Sequence, residues 1–306
     1  MAADKKRLAV VLFGVAFICG CGASPVGLAR ASLTRLAPQA TSAAPKRIVS
    51  LVPSLTEMLF AIGAGPQVVA VSSYDEFPPE VKKLPRVGAL LDPDVERILS
   101  LRPDLVLTYG SQTTLEAQLA RAGITVFSYR HAGVAGILQG LRDLGAATGH
   151  AAEGDRKARQ VQAQLDAVRA RVRPHPRPRT LLVFGRQPQS LQQIYVSGGV
   201  GFMHDLLDVA GAANVFADVS RESVQPSQET LLTRAPDAIL EVRADNPLTP
   251  PQLAAERRTW APLASIPAVR NGRIYFLAAD YLMAPGPRVA LAAEALARAL
   301  HPEAFK

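Results

Sequence analysis

The amino-acid sequence predicts an α/β protein with two mainly parallel-sheet lobes joined by a single long interlobe helix. Three observations indicate this fold class. Short apolar runs alternate with capped amphipathic segments in both halves of the 306-residue chain, as expected for strand–helix units that build parallel sheets. One long polar segment with helical periodicity separates the halves. A Glu…Pro-Asp pattern occurs once in each half, which indicates that the halves share a fold.

The N-terminal segment has the features of an export signal. Basic residues at positions 5–7 precede an apolar stretch over 8–18 that is too short for a permanent membrane span. The stretch ends in the letters ICGC, which resemble the lipobox of bacterial lipoproteins with Cys21 as the lipidated residue. A plain secretory signal cleaved nearby is the alternative, and both place the folded chain outside the cytoplasm. We assign residues 1–20 to a signal peptide and residues 21–45, rich in small and polar residues, to a lipid anchor and flexible tether.

Residues 46–150 predict the N-terminal lobe. Ser54 and Glu57 form a capping box before an apolar stripe of helical spacing, and Gly63 follows as a helix stop. The order of strand, capped helix and glycine then repeats. The predicted strands are 47–51, 68–72, 105–108 and 124–128, and the predicted helices are 54–62, 94–101, 114–121 and 134–148.

Residues 151–173 predict the interlobe helix. The segment contains no proline and no glycine after Gly154, and its aliphatic residues form one stripe. A helix of about 20 residues is roughly 30 Å long, enough to reach from one lobe to another. A proline-rich stop over 174–178 ends it. The C-terminal lobe, 174–306, follows with predicted strands at 180–184, 238–242 and 274–277 and helices at 202–209 and 288–300.

The repeated pattern places a glutamate in the first turn of a short helix in each half. Residues 96–107 and 229–240 both consist of Glu, one residue, two aliphatics, three residues, Pro-Asp, one residue and two aliphatics. A glutamate there suits the helix dipole, which contributes about 0.3–1 kcal/mol and is a sufficient structural explanation. The functional alternative is that Glu96 and Glu229 form a matched pair of exposed carboxylates for a pseudo-symmetric partner.

Composition and motifs exclude several function classes. The formal net charge is +8, but the basic residues are scattered, so nucleic-acid binding is not expected. No cysteine follows Cys21, which excludes disulfides, cysteine-based zinc sites and iron–sulfur clusters from the mature chain. The five histidines have no paired ligand spacing, although His131 follows a predicted strand. The sequence has no recognisable nucleophile motif, so we expect no enzymatic activity.

Several segments together carry a family resemblance. They are RIVSLVPSLTE at 47–57, VSSYDEFPPE at 71–80, LPRVG at 84–88, NGRIY at 271–275 and GPR at 286–288, with Trp260 and the two Pro-Asp strand entries. In these segments the chain resembles the helical-backbone (class III) solute-binding proteins of ABC importers, which bind cobalamin, haem and ferric siderophores. The resemblance extends over residues 46–300. The segment 74–79 is most similar to the cobalamin-binding branch.

The resemblance implies that the ligand is held in a cleft between the lobes. Rigid aromatic walls suit a flat, partly apolar macrocycle. The positions that match the family's ligand contacts are Tyr74, Tyr109, Asp280 and Tyr281. Arg130 and Arg186 are further candidates for holding an anionic group, because they follow predicted strands, where open α/β sheets bind ligands. Arg288 matches a family position at which packing and ligand roles both stay open.

The resemblance also implies that Glu96 and Glu229 dock onto arginines of two permease subunits. We therefore expect a monomeric receptor, periplasmic or anchored to the membrane by lipid. It would deliver a small metal chelate to an ABC permease dimer with its ATPase subunits. The expected ligand is a cobalt corrinoid such as cobalamin, with haem or a ferric siderophore as alternatives, and no cofactor of the protein's own is expected. A metal-cofactor enzyme on a related two-lobe scaffold is a more remote alternative.

Overall fold

The computed structural model describes residues 44–244 and 247–306 of the chain. Cys21, the predicted signal peptide and nearly all of the predicted tether lie outside the described residues. From Pro45 to Lys306 the chain forms one compact unit. No helix in the two described ranges combines the length and the apolarity needed to cross a membrane.

The N-terminal half contains a sheet of four parallel strands. The strands are β1 (Ile48–Ser50), β2 (Val68–Val71), β3 (Leu105–Tyr109) and β4 (Thr125–Tyr129), in the order β2-β1-β3-β4. The helices of this half are α1 (Pro53–Ala61), α2 (Val95–Ser100), α3 (Thr113–Arg121) and α4 (Gly133–Thr148), and α5 (Ala151–Val172) follows. Every residue of β1 is buried, as expected for a parallel strand covered on both faces.

The C-terminal half contains a larger, mainly parallel sheet. Its strands are β5 (Arg179–Gly185), β6 (Tyr195–Ser197), β7 (Ala213–Asn214), β8 (Ser223–Val224), β9 (Ala238–Arg243) and β10 (Ile274–Ala278). The main order is β10-β9-β5-β6-β8, with β7 paired to β5, and β6 is antiparallel to both of its neighbours. The helices are α6 (Phe202–Val209), α7 (Gln228–Arg234), α8 (Pro250–Thr259), α9 (Pro267–Arg270) and α10 (Val289–Leu300). The predicted fold class is confirmed.

The long helix α5 connects the two halves through a continuous apolar core. It packs against α4 on the N-terminal side and against α6 and α10 on the C-terminal side. Its buried residues include Val161, Leu165 and Val168, which belong to the same core cluster as β1 and α10. Close contact between α4 and α5 requires glycine, because a Cβ on Gly154 would lie 2.5 Å from the backbone oxygen of Leu141. The halves are therefore joined by packing as well as by chain connectivity.

Each sheet has a second apolar core on the face turned away from α5. In the N-terminal half, Ile98 of α2 packs in a cluster with Val49 and Val106. In the C-terminal half, Leu231 of α7 lies in a cluster with the fully buried Trp260. The two helices that carry the repeated pattern are thus each anchored by one buried aliphatic side chain.

Candidate ligand-binding cleft

The predicted ligand residues lie where strands of the two sheets end. Tyr74 follows β2, Tyr109 is the last residue of β3, Arg130 follows β4, and Asp280 and Tyr281 follow β10. These strands are parallel to their neighbours, so the residues lie at the carboxyl edges of their sheets, where open α/β sheets bind ligands. Tyr74, Arg130 and Asp280 are exposed, and the other two tyrosines are half-buried.

The loop that carries Tyr74 is held by a buried carboxylate. Oδ2 of Asp75 accepts hydrogen bonds from the backbone N–H of Ser72 at 2.9 Å and from its hydroxyl at 2.6 Å. Arg86 donates from Nη1 to the backbone oxygens of Ser72 and Asp75 at 2.8 and 2.6 Å. Burial raises the pKa of the Asp75 carboxyl, and the hydrogen bonds oppose this shift. Tyr74 is therefore presented by a fixed backbone, which reduces the entropy lost when a ligand binds.

Arg288 joins the two halves beside these residues. Its Nε and Nη2 donate to the two carboxylate oxygens of Glu57 at 2.8 and 2.7 Å, and its Nη1 donates to Asp280 at 2.8 Å. The guanidinium carbon lies 3.9 Å from the ring centroid of Phe77 and 5.8 Å from that of Tyr281. A planar guanidinium can pair with carboxylates in its plane and stack on rings with its faces. Arg288 therefore fixes aromatic side chains from both halves in one place.

Glu57 has a different role from the one its motif predicts. Helix α1 begins at Pro53 with Val52 as its N-cap residue and has no side-chain cap, so the predicted Ser54–Glu57 capping box is wrong. The Glu57 side chain is 5% exposed and binds Arg288 instead. Burial raises the pKa of the Glu57 carboxyl, and Arg288 opposes the shift. The available sequence signal was an acidic residue within an apolar helical run, because a buried carboxylate needs a partner.

Arg186 lies inside the C-terminal half and not at the surface of a cleft. Its side chain is 5% exposed and lies between Glu241 and Glu256. Nε donates to both oxygens of Glu241 at 3.0–3.1 Å, Nη2 donates to Glu256 at 2.5 Å, and Nη1 donates to two backbone oxygens. Burial raises the pKa of Glu241, and the charge of Arg186 opposes the shift. These contacts use the donors that the predicted anion-binding role requires, so we leave Arg186 out of the proposed ligand set.

A row of aromatic rings runs from the end of β3 to α6 of the other half. Tyr109 and Tyr129 meet edge to face with ring centroids 6.3 Å apart. The His131 ring lies 6.5 Å from Tyr129 and 5.9 Å from Phe202, the first residue of α6. Burial and the negative charge of Glu222 raise the pKa of Tyr109. Because Phe202 and Glu222 belong to the C-terminal half, the row crosses the boundary between the lobes.

A cavity of about 370 Å³ lies at the same boundary. Gly133, at the start of α4, lines one side, and the glycine-rich turn 199–201 with Glu222 lines the other. Asp205 of α6 also lines the cavity and accepts a hydrogen bond from the backbone N–H of Val134 at 2.7 Å. Gly133 has a φ of +63°, and a Cβ there would collide with the Asp205 carboxylate. The first turn of α4, which belongs to the N-terminal half, is thus capped by a side chain from the C-terminal half.

Residues 48–281, well over half of the chain, match the family model described as periplasmic binding protein. The chain belongs to the periplasmic binding protein family. It is 33% identical over 267 residues to the ABC transporter substrate-binding lipoprotein YvrC of Bacillus subtilis, a match that covers 86% of this chain and 82% of that protein. It is 31% identical over 263 residues to the vitamin B12-binding protein of Pectobacterium atrosepticum, with coverage of 83% and 88%.

Solved structures of other periplasmic binding proteins have the same fold. The periplasmic vitamin B12-binding protein BtuF of Vibrio cholerae superposes with a TM-score of 0.71 at 26% identity, covering 86% of this chain and 99% of that one. The periplasmic haem-binding protein RhuT of Roseiflexus sp. RS-1 gives a TM-score of 0.70 at 29% identity, with coverage of 85% and 99%. The predicted family resemblance is confirmed. The chain is a substrate-binding protein of the ABC transporter class and not an enzyme.

In this periplasmic binding protein the two predicted docking carboxylates occupy equivalent places. Glu96 lies in the first turn of α2 and Glu229 in the first turn of α7. Both residues are exposed. Neither carboxylate takes part in a hydrogen bond or ion pair within the part of the chain that the structure describes. Both are thus available to a partner.

His131 is half-buried, and both nitrogens of its imidazole ring are buried. Among the described residues neither of its ring nitrogens has a partner, and the same holds for the hydroxyl of neighbouring Tyr129. Burial lowers the pKa of His131 below its ordinary value, and the Asp205 carboxylate opposes this shift. The folded protein therefore holds a neutral imidazole at pH 7. Burial also raises the pKa of Tyr129 to about 12, which keeps its phenol protonated.

We expect His131→Phe to make folding stability less dependent on pH between 7.5 and 5.5. The unfolded wild type takes up a proton on His131 near pH 6.5, whereas the folded state resists it. The stability that results is present above pH 6.5 and is lost as the pH falls below it. Urea unfolding at several pH values measures this slope. Leu263→Val, which alters packing in the separate cluster around Trp260 without removing a titratable group, should shift stability equally at all pH values. Equal pH slopes in His131→Phe and the wild type would contradict the prediction.

Proposed function

We propose that this periplasmic binding protein is the extracytoplasmic receptor of an ABC importer and that it carries a cobalt corrinoid such as cobalamin between its two halves. The group of aromatic side chains around the Arg288–Glu57 ion pair carries the proposal. Tyr74 is 52% and Phe77 is 37% exposed, and Tyr281 belongs to the other half. Aromatic side chains of this size normally bury most of their surface. Exposed aromatic rings on loops that are fixed by hydrogen bonds and ion pairs therefore indicate a surface that a ligand covers.

A corrinoid suits the chemistry of these side chains. Its macrocycle is flat and largely apolar, so aromatic rings from both halves can pack against it. Its peripheral amides need hydrogen-bond partners, and the exposed Asp280 carboxylate and Arg130 guanidinium offer an acceptor and donors. The proposed ligand-binding residues are Tyr74, Phe77, Tyr109, Arg130, Asp280 and Tyr281. The B12-binding names of the Pectobacterium and Vibrio relatives support the same ligand class.

Haem is the second candidate, and the Tyr129–His131 pair favours it. Imidazole and phenol groups are both ligands that haem iron accepts. The ring nitrogens of His131 and the phenol of Tyr129 lie in the aromatic row between the halves and have no hydrogen-bond partner among the described residues. The Roseiflexus relative of similar identity is a haem-binding protein. The importer role is the same for either ligand.

Calorimetric titration of residues 45–306 with four chelates tests the ligand. The chelates are cyanocobalamin, dicyanocobinamide, hemin and a ferric catecholate. One-to-one corrinoid binding with a Kd below about 1 μM, equivalent to about 8 kcal/mol, supports the proposal. Tight binding of hemin or the catecholate alone would keep the receptor role and replace the ligand. If none of the four binds, the proposed ligand class is wrong.

We expect Tyr74→Ala and Phe77→Ala each to weaken corrinoid binding by about tenfold to a hundredfold. Truncating a central aromatic contact removes about 1–3 kcal/mol of binding free energy. Tyr74→Phe should stay within about threefold of the wild type if the ring face is the contact. Calorimetry measures all three, with Phe305→Ala as the control, because Phe305 packs under Arg171 and Arg298 at the end of the chain. Unchanged affinity in both alanine variants would remove these rings from the site.

The proposal includes the organisation predicted from the sequence. A signal peptide over 1–20 directs export, Cys21 carries a lipid, and the tether to residue 45 lets the folded part reach the permease from the membrane. Segments 46–150 and 174–306 act as the two ligand-binding lobes of a monomer, joined by the helix at 151–173. Glu96 and Glu229 dock onto the permease dimer. Loss of metabolic palmitate labelling in Cys21→Ser would support the anchor, and retained labelling would contradict it.

A further inference from the structure

Two short helices expose the same pair of side chains in the two halves. In α2, Glu96 lies three residues before Leu99, and in α7, Glu229 lies three residues before Leu232. Both leucines are 40% exposed, whereas the aliphatic residue directly before each is completely buried. Residues three apart lie on the same helix face. Each half therefore presents a carboxylate beside an exposed apolar side chain.

The start of each helix is fixed by the same kind of hydrogen bond. The Asp94 carboxylate accepts a hydrogen bond from the backbone N–H of Arg97 at 2.9 Å, and the Ser227 hydroxyl accepts one from that of Thr230 at 3.1 Å. Both acceptors are N-cap residues, which satisfy a backbone donor that lacks a partner within the helix. The first turn that carries the glutamate is thus held in the same way in both halves.

The end of each helix is tied to the first strand of its own sheet. Arg47, directly before β1, donates from Nε and Nη2 to the carbonyl of Leu101 at 3.0 and 2.8 Å. Arg179, the first residue of β5, donates from Nη2 to the carbonyl of Arg234 at 2.6 Å. The residue after each of these carbonyls has a left-handed backbone, with φ of 46° and 42°. The same supports at both ends give the two helices equivalent orientations on their sheets.

We propose that Leu99 and Leu232 are the apolar contacts of a two-point docking surface for the permease dimer. In each half, the leucine inserts into an apolar pocket of one permease subunit, next to a basic side chain that pairs with Glu96 or Glu229. This inference rests on the proposed receptor function. The partner is a dimer of two similar subunits. The chain presents a glutamate beside an exposed leucine twice, on two helices that are held in the same way, so each copy can contact one subunit.

The leucines add an apolar contact to the docking surface, which the two carboxylates alone do not provide. An exposed ion pair contributes little to binding because water and salt screen it. An apolar contact beside the pair excludes water, and interface energy concentrates in such packed positions. A single exposed leucine is ordinary on a protein surface. Here, however, the exposed fraction, the neighbouring glutamate and the supporting hydrogen bonds all recur in the second half.

Site-specific photo-crosslinking in the full-length lipoprotein tests the occupant. Benzoylphenylalanine is placed at position 99, 232 or 291 in cells of the source bacterium, and adducts are identified by mass spectrometry. Leu291 is the control because it is 48% exposed on α10. We expect adducts with a transmembrane permease subunit of an ABC importer from positions 99 and 232 but not from 291. Adducts with a second copy of this chain, or equal permease yields from position 291, would overturn the inference.

Docking affinity then separates the leucines from the carboxylates. With that permease complex in lipid nanodiscs, we expect Leu99→Ala and Leu232→Ala each to weaken docking by about 5- to 20-fold, as for packed interface residues. Leu291→Ala should stay within about twofold, as for surface positions outside the interface. If Glu96→Gln and Glu229→Gln weaken docking and the leucine variants do not, the docking role stands and the leucine inference fails. Loss of docking in the leucine variants supports the inference even if calorimetry detects no corrinoid binding, which would overturn only the proposed ligand.

Discussion

Replacing Arg186 by methionine is expected to lower the free energy of unfolding by about 3–5 kcal/mol, as for loss of one partner of a buried ion pair. Glu241 and Glu256 have side chains 5% and 8% exposed, and both bind this guanidinium. Methionine fills similar space but leaves the two carboxylates buried without a counter-charge. Glu241 keeps one other donor, the Trp260 indole N–H at 2.6 Å.

The loss should be largest at neutral pH. Burial already raises the pKa of Glu241 in the wild type, and removal of Arg186 removes the main opposing influence. A carboxyl whose pKa is raised in the folded state stabilises it while protonated, and this contribution is lost as the pH rises through the folded pKa. Urea unfolding of Arg186→Met at pH 7.5 and pH 5 should therefore show the larger deficit at pH 7.5.

Two further variants define the cause of this loss. Arg177→Ala breaks an ion pair with Asp208 in which both side chains are more than half exposed, and it should cost less than about 1 kcal/mol. Adding Glu241→Gln and Glu256→Gln to Arg186→Met should recover part of the stability, because no unpaired charge stays buried. A deficit in Arg186→Met that matches Arg177→Ala would contradict the buried-network interpretation.

The large elements of the fold were predictable because their signals are local. The parallel strand β2 is a continuous apolar run, and α5 has one apolar stripe over its length. The strands β6, β7 and β8 have only two or three residues each, which is too short for a periodic pattern. The antiparallel pairing of β6 with β5 and β8 therefore had no sequence signal.

The candidate site was predictable in place but not in its contacts. The family resemblance supplied Tyr74, Tyr109 and Asp280 as candidates, and the structure places them at or after strand ends, on the carboxyl edges of the sheets. The Glu57–Arg288 pair joins residues 231 positions apart, and no local pattern reports such a contact. The contacts of Arg186 were not predictable for the same reason, because its two carboxylate partners lie 55 and 70 positions away.

Replacing Arg288 by methionine is expected to reduce both folding stability and corrinoid affinity. Glu57 is 5% exposed and Arg288 15% exposed, so the variant leaves a nearly buried carboxylate unpaired, at a cost of about 3–5 kcal/mol. For a chain of this size, each kcal/mol lowers Tm by roughly 2–4 °C. Affinity should fall by about tenfold, because Asp280, Phe77 and Tyr281 lose the group that orders them and binding must then order them.

A double-mutant cycle separates the ion pair from the bracing of the ligand residues. Glu57→Gln alone and Glu57→Gln with Arg288→Met are compared by urea unfolding and by calorimetry. The two substitutions should couple by about 1–3 kcal/mol in stability, since the residues are in direct contact.

Glu57→Gln alone should change corrinoid affinity by less than about threefold, because Arg288 keeps its contacts with Asp280 and both rings. The double variant should regain stability relative to Arg288→Met but not affinity, because the bracing guanidinium is still missing. Additive stability effects, or an affinity that recovers together with stability, would show that the pair does not link the two lobes in the way its geometry indicates.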